Sequence, residues 1–311
     1  MTLSPFKETH ENHVSLSSVL RSDGYLFFRG ILDTNKVKNL RNDFISILSK
    51  YNLTTSTSET TWTGKIPDPE TSSNLAIEAS ELKSMRELAN SEEIIGIIRR
   101  IYGDPIHVFE EMIPRAQIPQ DSAFRTVPHQ DIYFFEKSTD FVSAWIPLIN
   151  IDSSMGGLTL ASNTHHIDLD KGLVAYGTKE GSRVTPGIPE EKLGDVTWLN
   201  SNFRIGDLLL FTCKTIHKAL PNTSNKLRIS IDTRYQNSLS QMDWRAKTTF
   251  RANAFYVGKI LQSLVDAEGL TGVSAQKVIW ESLHGMSTSE DLVAIKKRIE
   301  KAKITNDAVP K

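Results

Sequence analysis

Cysteine is almost missing from this chain: Cys213 stands alone among 311 residues. One thiol excludes an intramolecular disulfide and a thiolate-built zinc site, and it fits a reducing cytoplasm. Long apolar runs are missing too, since nothing approaches the ~20 residues that span a bilayer. The N-terminal stretch lacks the apolar core of a secretory leader, and Ala308-Val309-Pro310-Lys311 is not a peroxisomal address. We therefore expect a cytoplasmic protein with no membrane partner. Neither sign of charge is in excess, with 36 Lys and Arg against 37 Asp and Glu, so no long-range field draws in nucleic acid. No Gly-rich loop opens a helix to cradle a nucleotide phosphate, and there are no repeats. A small-molecule substrate is the partner class that remains.

At this length the chain can bury a sizeable core. Residues 24 to 32 read as a buried strand closed by a turn. Asp33 or Thr34 then caps a helix with Val37, Leu40, Phe44 and Ile47 on one stripe. Residues 52 to 75, rich in Ser and Thr around Trp62, read as a loop. Asn90 and Glu93 form a capping box for a helix through Ile94, Ile97, Ile98 and Ile101, which Gly103 ends. From residue 106 the texture changes to short apolar or alternating runs at 106–113, 125–135, 142–149, 157–160, 208–213 and 228–235. Strands at this spacing after a helical section predict a mainly β fold with flanking helices, a sandwich or jelly roll. We expect a single domain: helical support over about 1–105, a jelly-roll core over about 106–240 and a C-terminal helical extension over about 250–311. Residues 168 to 198 show little periodicity and read as a lid or binding loop.

The chemistry centres on Pro128-His129-Gln130-Asp131. On an extended segment His129 and Asp131 share a face, because strand side chains alternate with period two. His217, at or just beyond the end of the strand that starts at Leu208, supplies a second imidazole. Two imidazoles and a carboxylate with positions left open make the facial triad of non-haem Fe(II) oxygenases. A buried, hydrogen-bonded His129 with no metal is the competing reading. A second His-x-Asp, His166-Ile167-Asp168, follows the turn-rich Ala161-Ser162-Asn163-Thr164 and is the poorer choice, since a strand must carry the pair. Arg228 falls on a strand where it would be buried and need an anion. A guanidinium there clamps a carboxylate through two bonds, unless Asp232 or Asp207 already pairs with it.

Taken in order, Gly24-Tyr25-Leu26-Phe27-Phe28-Arg29-Gly30, Pro128-His129-Gln130-Asp131, Trp145-Ile146-Pro147-Leu148, Gly156-Gly157-Leu158 running to Thr164-His165, and Gly206-Asp207 through His217 to Asn222 and Arg228 carry a resemblance. The chain resembles the phytanoyl-CoA dioxygenase-like branch of the Fe(II)- and 2-oxoglutarate-dependent oxygenases over roughly residues 15 to 240. The resemblance implies a double-stranded β-helix, a jelly roll with a cupin-like core. It implies that His129, Asp131 and His217 bind Fe(II) and that Arg228 holds the distal carboxylate of 2-oxoglutarate, with Ser230 and Thr126 adding hydrogen bonds. Relatives often place a lysine on the strand before the His-x-Asp pair. Here Arg115 and Gln117 lie in that region, and Gln117 becomes a candidate cosubstrate contact.

The implied reaction uses O2 and 2-oxoglutarate to hydroxylate an unactivated C–H bond of a small molecule, releasing succinate and CO2; desaturation or cyclisation draws on the same chemistry. Asp131 argues against halogenation, because related halogenases have a small residue there that admits chloride. For the substrate, alternation puts Tyr133 and Phe135 on the face of the metal pair and Phe134 away from it. Trp145 either lines the site or packs in the core, and Arg234, Trp244 and Arg245 either reach an anionic substrate or form salt bridges. We expect a free metabolite, an amino acid or a specialised product, over an acyl-CoA. Two other classes stay open: a cupin-type metalloenzyme that needs no 2-oxoglutarate, and a non-catalytic jelly roll that binds a metal or ligand. Arg228 weighs against both, since neither needs a buried guanidinium beside the metal.

Overall fold

The computed structural model of the protein describes residues 3–10, 15–119, 126–135, 138–167, 175–176, 186–249 and 300. The expected C-terminal helices, Arg125, Asp168 and most of the expected lid lie outside these residues. In chain order the elements are β1 (Leu3–Ser4), α1 (Leu16–Asp23), β2 (Tyr25–Phe28), α2 (Thr34–Lys50), α3 (Pro69–Ser80), α4 (Lys83–Ala89), α5 (Glu92–Tyr102), β3 (Ile106–Val108) and β4 (Ile113–Gln117). There follow β5 (Val142–Pro147), β6 (Leu158–Ala161), β7 (Ala175–Tyr176), β8 (Pro186–Gly187), β9 (Trp198–Leu199), β10 (Leu208–Thr212), β11 (His217–Ala219) and β12 (Arg228–Asn237).

Two sheets form the core. The larger runs β2-β10-β5-β12-β3, with β4 also pairing to β12, and the smaller runs β1-β9-β6-β11. Every pair in the larger sheet is antiparallel. Strands β2, β5 and β10 are buried along nearly their whole length on both faces, which is why they read as apolar runs. Leu26 and Phe28 of β2, Leu208 and Leu210 of β10, Ala144 and Ile146 of β5, and Ile229 and Ile231 of β12 pack outward under the helices. The alternate positions point inward: Phe27, Trp145, Leu209 and Phe211 meet Leu158, Leu160 and Leu199 of the smaller sheet. Each such fully buried side chain contributes about 1.5–3 kcal/mol. On β12 the inward positions are Arg228, Ser230, Asp232 and Arg234, all buried, so one polar row runs through an apolar barrel. That row is the floor of the site.

The helices brace the outside of the larger sheet. Asp33 caps α2 by accepting from Asn35 N–H at 2.8 Å, and Val37, Leu40, Phe44 and Ile47 are all buried, as the stripe predicts. Elsewhere the local reading needs correction. The loop expected over 52–75 stops at Asp68, which caps α3 ahead of a proline in its first turn, a favoured start. Helix α5 takes Ser91 as its N-cap, while Asn90 closes α4; Glu93 is drawn instead to Lys36 at 3.0 Å. Helices α1 and α4 are too short to declare a period. The buried strand expected within residues 24 to 32 is β2, and it joins the larger sheet against β10. Long-range pairing, which no local pattern encodes, decides that. The run expected as a strand over 106–113 is split into β3 and β4, both on β12.

Candidate metal centre and buried arginine

His129, Asp131 and His217 converge, all buried, with one ligand atom from each lying within 4.8 Å of the others. They are the one such cluster among the described residues. The local geometry differs from the expected strand. His129 makes an isolated bridge to His217, and Asp131 opens a 3-10 turn, Asp131–Phe134. Ile132 N–H donates to Cys213 O at 3.0 Å, and the Gln130 amide donates to Lys214 O, so the turn is fastened to the segment before His217. In a turn with three residues per revolution, period-two alternation no longer applies. Phe134, expected to face away, stands edge-on to the His129 ring at 5.4 Å. Phe135 is buried against Phe109, Phe141 and Cys213, and Tyr133 is half-buried in the turn.

The imidazoles are oriented for a cation. Nδ1 of His129 lies 2.7 Å from Val127 O, and Nδ1 of His217 lies 3.0 Å from Thr215 O. A carbonyl only accepts, so each Nδ1 carries a proton and each Nε2 is the ring atom turned to the cluster. Those Nε2 atoms sit 3.5 and 3.6 Å from Oδ1 of Asp131. Burial pushes the His217 imidazole down to about 3, helped by His129 beside it, so it is neutral and ready to ligate. Burial alone would raise the Asp131 carboxyl, but the Arg234 guanidinium and the two histidines hold it well below the ordinary carboxylate range. Two imidazoles, each held at Nδ1 by a carbonyl, and one ionised carboxylate are a donor set for Fe(II). The competing His166 is exposed, and its neighbour His165 is turned to Arg21 O at 3.0 Å.

Along the same floor Arg228 is 3% exposed. Its Nε donates to Gln117 Oε1 at 2.9 Å, and Gln117 in turn donates to Leu220 O at 2.9 Å. The ion pairs of both nearby anions go elsewhere: Asp207 binds Arg29 at 2.8 Å, and Asp232 binds Arg115 through Oδ2, acting on Arg228 by its charge alone. Among the described residues no carboxylate pairs with Arg228. Burial, and Arg115 nearby, bring its guanidinium down to about 10. Nη1 of Arg228, Oγ of Ser230 and Nε1 of Trp145 are buried without a partner, and the guanidinium carbon lies 5.8 Å from the Trp145 ring. Unpaired buried donors are costly unless a ligand completes them, and this set fits a carboxylate. Gln117 serves by holding Arg228. Thr126 is placed through its carbonyl, which accepts from Ala219 N–H at 3.1 Å.

A family model for phytanoyl-CoA dioxygenase matches residues 20–230. The chain belongs to the phytanoyl-CoA dioxygenase family. It is similar to the 1-deoxypentalenic acid 11-beta-hydroxylase of Streptomyces arenae, 27% identical over 78% of this chain and 87% of that protein. Among solved structures it resembles the α-ketoglutarate-dependent epimerase SnoN of nogalamycin biosynthesis, with TM-score 0.52 and 18% identity over 73% of this chain and 83% of that one. EctD of S. alaskensis aligns with TM-score 0.54 and 16% identity over 78% and 85% of the two chains. The jelly-roll class, the enzyme class of a dioxygenase and the iron and 2-oxoglutarate expected from the sequence agree with these findings. Within this family member, no helix among the described residues is long and apolar enough to cross a membrane.

Ser143 escaped the sequence reading, while Arg234 and Arg245 form ion pairs, the alternative stated for them above. Ser143 donates to Oδ2 of Asp131. Arg234, expected at the substrate, donates from Nε to the same oxygen at 3.1 Å. Arg245 bonds Glu111 at 2.6 Å and the Phe134 carbonyl at 3.3 Å. The signal for Arg234 was present in the polar-apolar alternation from Arg228 to Asp232, whose period of two carries the polar face on to Arg234.

Proposed function

We propose that the protein is an Fe(II)- and 2-oxoglutarate-dependent dioxygenase, a single catalytic domain that hydroxylates an unactivated C–H bond of a free small molecule in the cytoplasm. Arg228 is the observation that carries this reading. A buried guanidinium with no carboxylate of its own, on the floor that leads to a two-imidazole, one-carboxylate cluster, is what a dicarboxylate spanning metal and arginine requires. When bound, iron and 2-oxoglutarate supply the oxidising power by reducing O2 and releasing succinate and CO2. The chain's own part is to hold the metal through His129, Asp131 and His217 and to seat the distal carboxylate on Arg228, Ser230 and Trp145. Leu158, Leu160, Leu209 and Phe211 belong to the packed apolar core between the two sheets, which would keep bulk water from the bound cosubstrate. Phe134 and Tyr133, on the turn that carries Asp131, are placed to bound the substrate. Asp131 keeps the carboxylate that halogenases lack, which favours oxygenation. Similarity to proteins named for free metabolites supports a substrate of that kind over a thioester.

The deciding experiment is anaerobic titration of the Fe(II)-loaded chain with 2-oxoglutarate, following the visible metal-to-ligand charge-transfer band in wild type and in Arg228→Lys. A band in wild type that needs at least ten times more cosubstrate in the variant is expected. Bound iron with no band at any concentration would turn the assignment to a cupin-type enzyme or a binding protein.

A further inference from the structure

The two oxygens of Asp131 have different surroundings. Oδ1 faces Nε2 of His129 and Nε2 of His217 at 3.5 and 3.6 Å. Oδ2 is turned the other way, accepting from Ser143 Oγ and from Arg234 Nε. Arg234 sits on the inward row of β12, opposite Ser143 on β5 in the sheet register, so both donors come from rigid adjacent strands. Arg234 is itself held in place. Its guanidinium lies 5.1 Å from the Phe135 ring, and that of Arg245 lies 5.3 Å from the same ring. Arg245 is tied to Glu111 and to the carbonyl of Phe134. The 3-10 turn carrying Asp131 is thus gripped at its carboxylate and again at its following aromatic. Asp131, Asp232 and Glu111 together outweigh burial and keep the Arg234 charge in place.

Resting on the metal reading above, we infer that Arg234 is a positioning residue for the metal carboxylate: with Ser143 it occupies Oδ2 of Asp131, so that a single oxygen, Oδ1, is offered to the metal. The consequence is chemical. A second carboxylate oxygen on the ion would take a coordination position that cosubstrate and O2 need, and a freely rotating carboxylate would lose the alignment with both imidazoles. A charge-assisted bond from a planar guanidinium fixes the carboxylate in orientation as well as in position. Only Nε of Arg234 is engaged in this role; its Nη1 is buried without a partner.

The test uses Co(II) as a spectroscopic probe, whose visible d–d bands change in energy and intensity with coordination number. Wild type, Arg234→Lys, Arg234→Ala and Ser143→Ala are titrated with Co(II) alone, with folding verified by circular dichroism. Loss of Arg234 should raise the Co(II) dissociation constant about 10–100-fold and alter the d–d envelope. Arg234→Lys should restore part of the affinity, and methylguanidinium should rescue Arg234→Ala, which a merely structural contact would not do. A folded Arg234→Ala with wild-type affinity and an unchanged spectrum overturns the inference. Should that variant fail to fold, wild-type affinity and spectra in both Arg234→Lys and Ser143→Ala overturn it equally. If the wild type itself takes up no Co(II), the metal reading fails and this inference fails with it.

Discussion

His129 and His217 are joined through their backbones: His129 N–H donates to His217 O at 3.1 Å, and His217 N–H donates to His129 O at 3.0 Å. This is the close reciprocal pair of an antiparallel ladder, and it brings their rings to 4.1 Å between centroids. The ladder, and not the metal, sets the spacing of the two imidazoles. Removing iron with a chelator should therefore leave the far-ultraviolet circular dichroism unchanged. Asp131→Ala should keep the fold yet lose nearly all iron-dependent 2-oxoglutarate turnover, measured as succinate formed. Wild-type turnover in that variant would end the assignment.

Gln117 is expected to matter for the cosubstrate without touching it. Its carbonyl oxygen accepts from Arg228 Nε, so Gln117→Leu leaves a buried donor unpaired and frees the guanidinium to turn. We expect a loss of about 1–3 kcal/mol in urea denaturation and a several-fold higher 2-oxoglutarate requirement, with the metal affinity unaltered. An unchanged cosubstrate requirement would show that Arg228 is held by the strand alone.

Gly156 has φ +64, and a Cβ there would lie 2.5 Å from the Leu220 carbonyl oxygen. Strain and collision add at this position, so Gly156→Ala should cost about 2–4 kcal/mol. Gly30 has φ +58 with open space around it, and Gly30→Ala should cost only about 1 kcal/mol. Equal losses in the two variants would rule out the collision as the cause.

Stability of the metal-free protein should fall as pH is lowered. The His217 imidazole is pushed down to about 3 in the folded chain, against about 6.5 when unfolded. Between those values the unfolded chain binds the extra proton, so stability rises with pH through this window. A loss on the order of a few kcal/mol is expected between about pH 7 and 4, and His217→Gln should flatten the slope. Asp131, held below its ordinary range, acts in the same direction but only below about pH 4. A slope confined to that lower range would exclude His217 as its source.

Cys213 reports on the same region. Burial pushes its thiol up to about 12, its carbonyl accepts from Ile132 on the Asp131 turn, and it packs with Phe135. Alkylation by iodoacetamide at neutral pH should be slow in the folded chain and slower still with metal bound. Labelling as fast as in urea would show that this cluster is open in solution.

Much of the architecture is visible in local patterns, and the misses at the site share one cause. The stripe Val37, Leu40, Phe44 and Ile47 predicts α2 because burial of one face imposes a helical period. The runs from Leu208 and Arg228 predict strands because both of their faces are covered. The placement of Phe134 beside His129, and of Phe135 in the core, reverses the expectation because a strand was assumed where the backbone tightens into a 3-10 turn. Nothing in Asp131-Ile132-Tyr133-Phe134 signals that turn; it is imposed by Cys213 and Lys214, which anchor it from a distant segment.

By itself the sequence determined the residue types and their order: two histidines and an aspartate for a cation, an arginine on a strand too apolar to leave it in water, and the alternation that turns Arg228, Ser230, Asp232 and Arg234 to one side. Those are consequences of side-chain chemistry and strand period. The tertiary structure alone decided which anion each cation meets. Asp232 went to Arg115, Asp207 to Arg29 and Asp131 to Arg234, and Arg228 was left with an empty Nη1. Partner choice among buried charges depends on distances of a few ångströms between strands far apart in the chain, where Coulomb and desolvation energies are steepest. Strand pairing sets those distances.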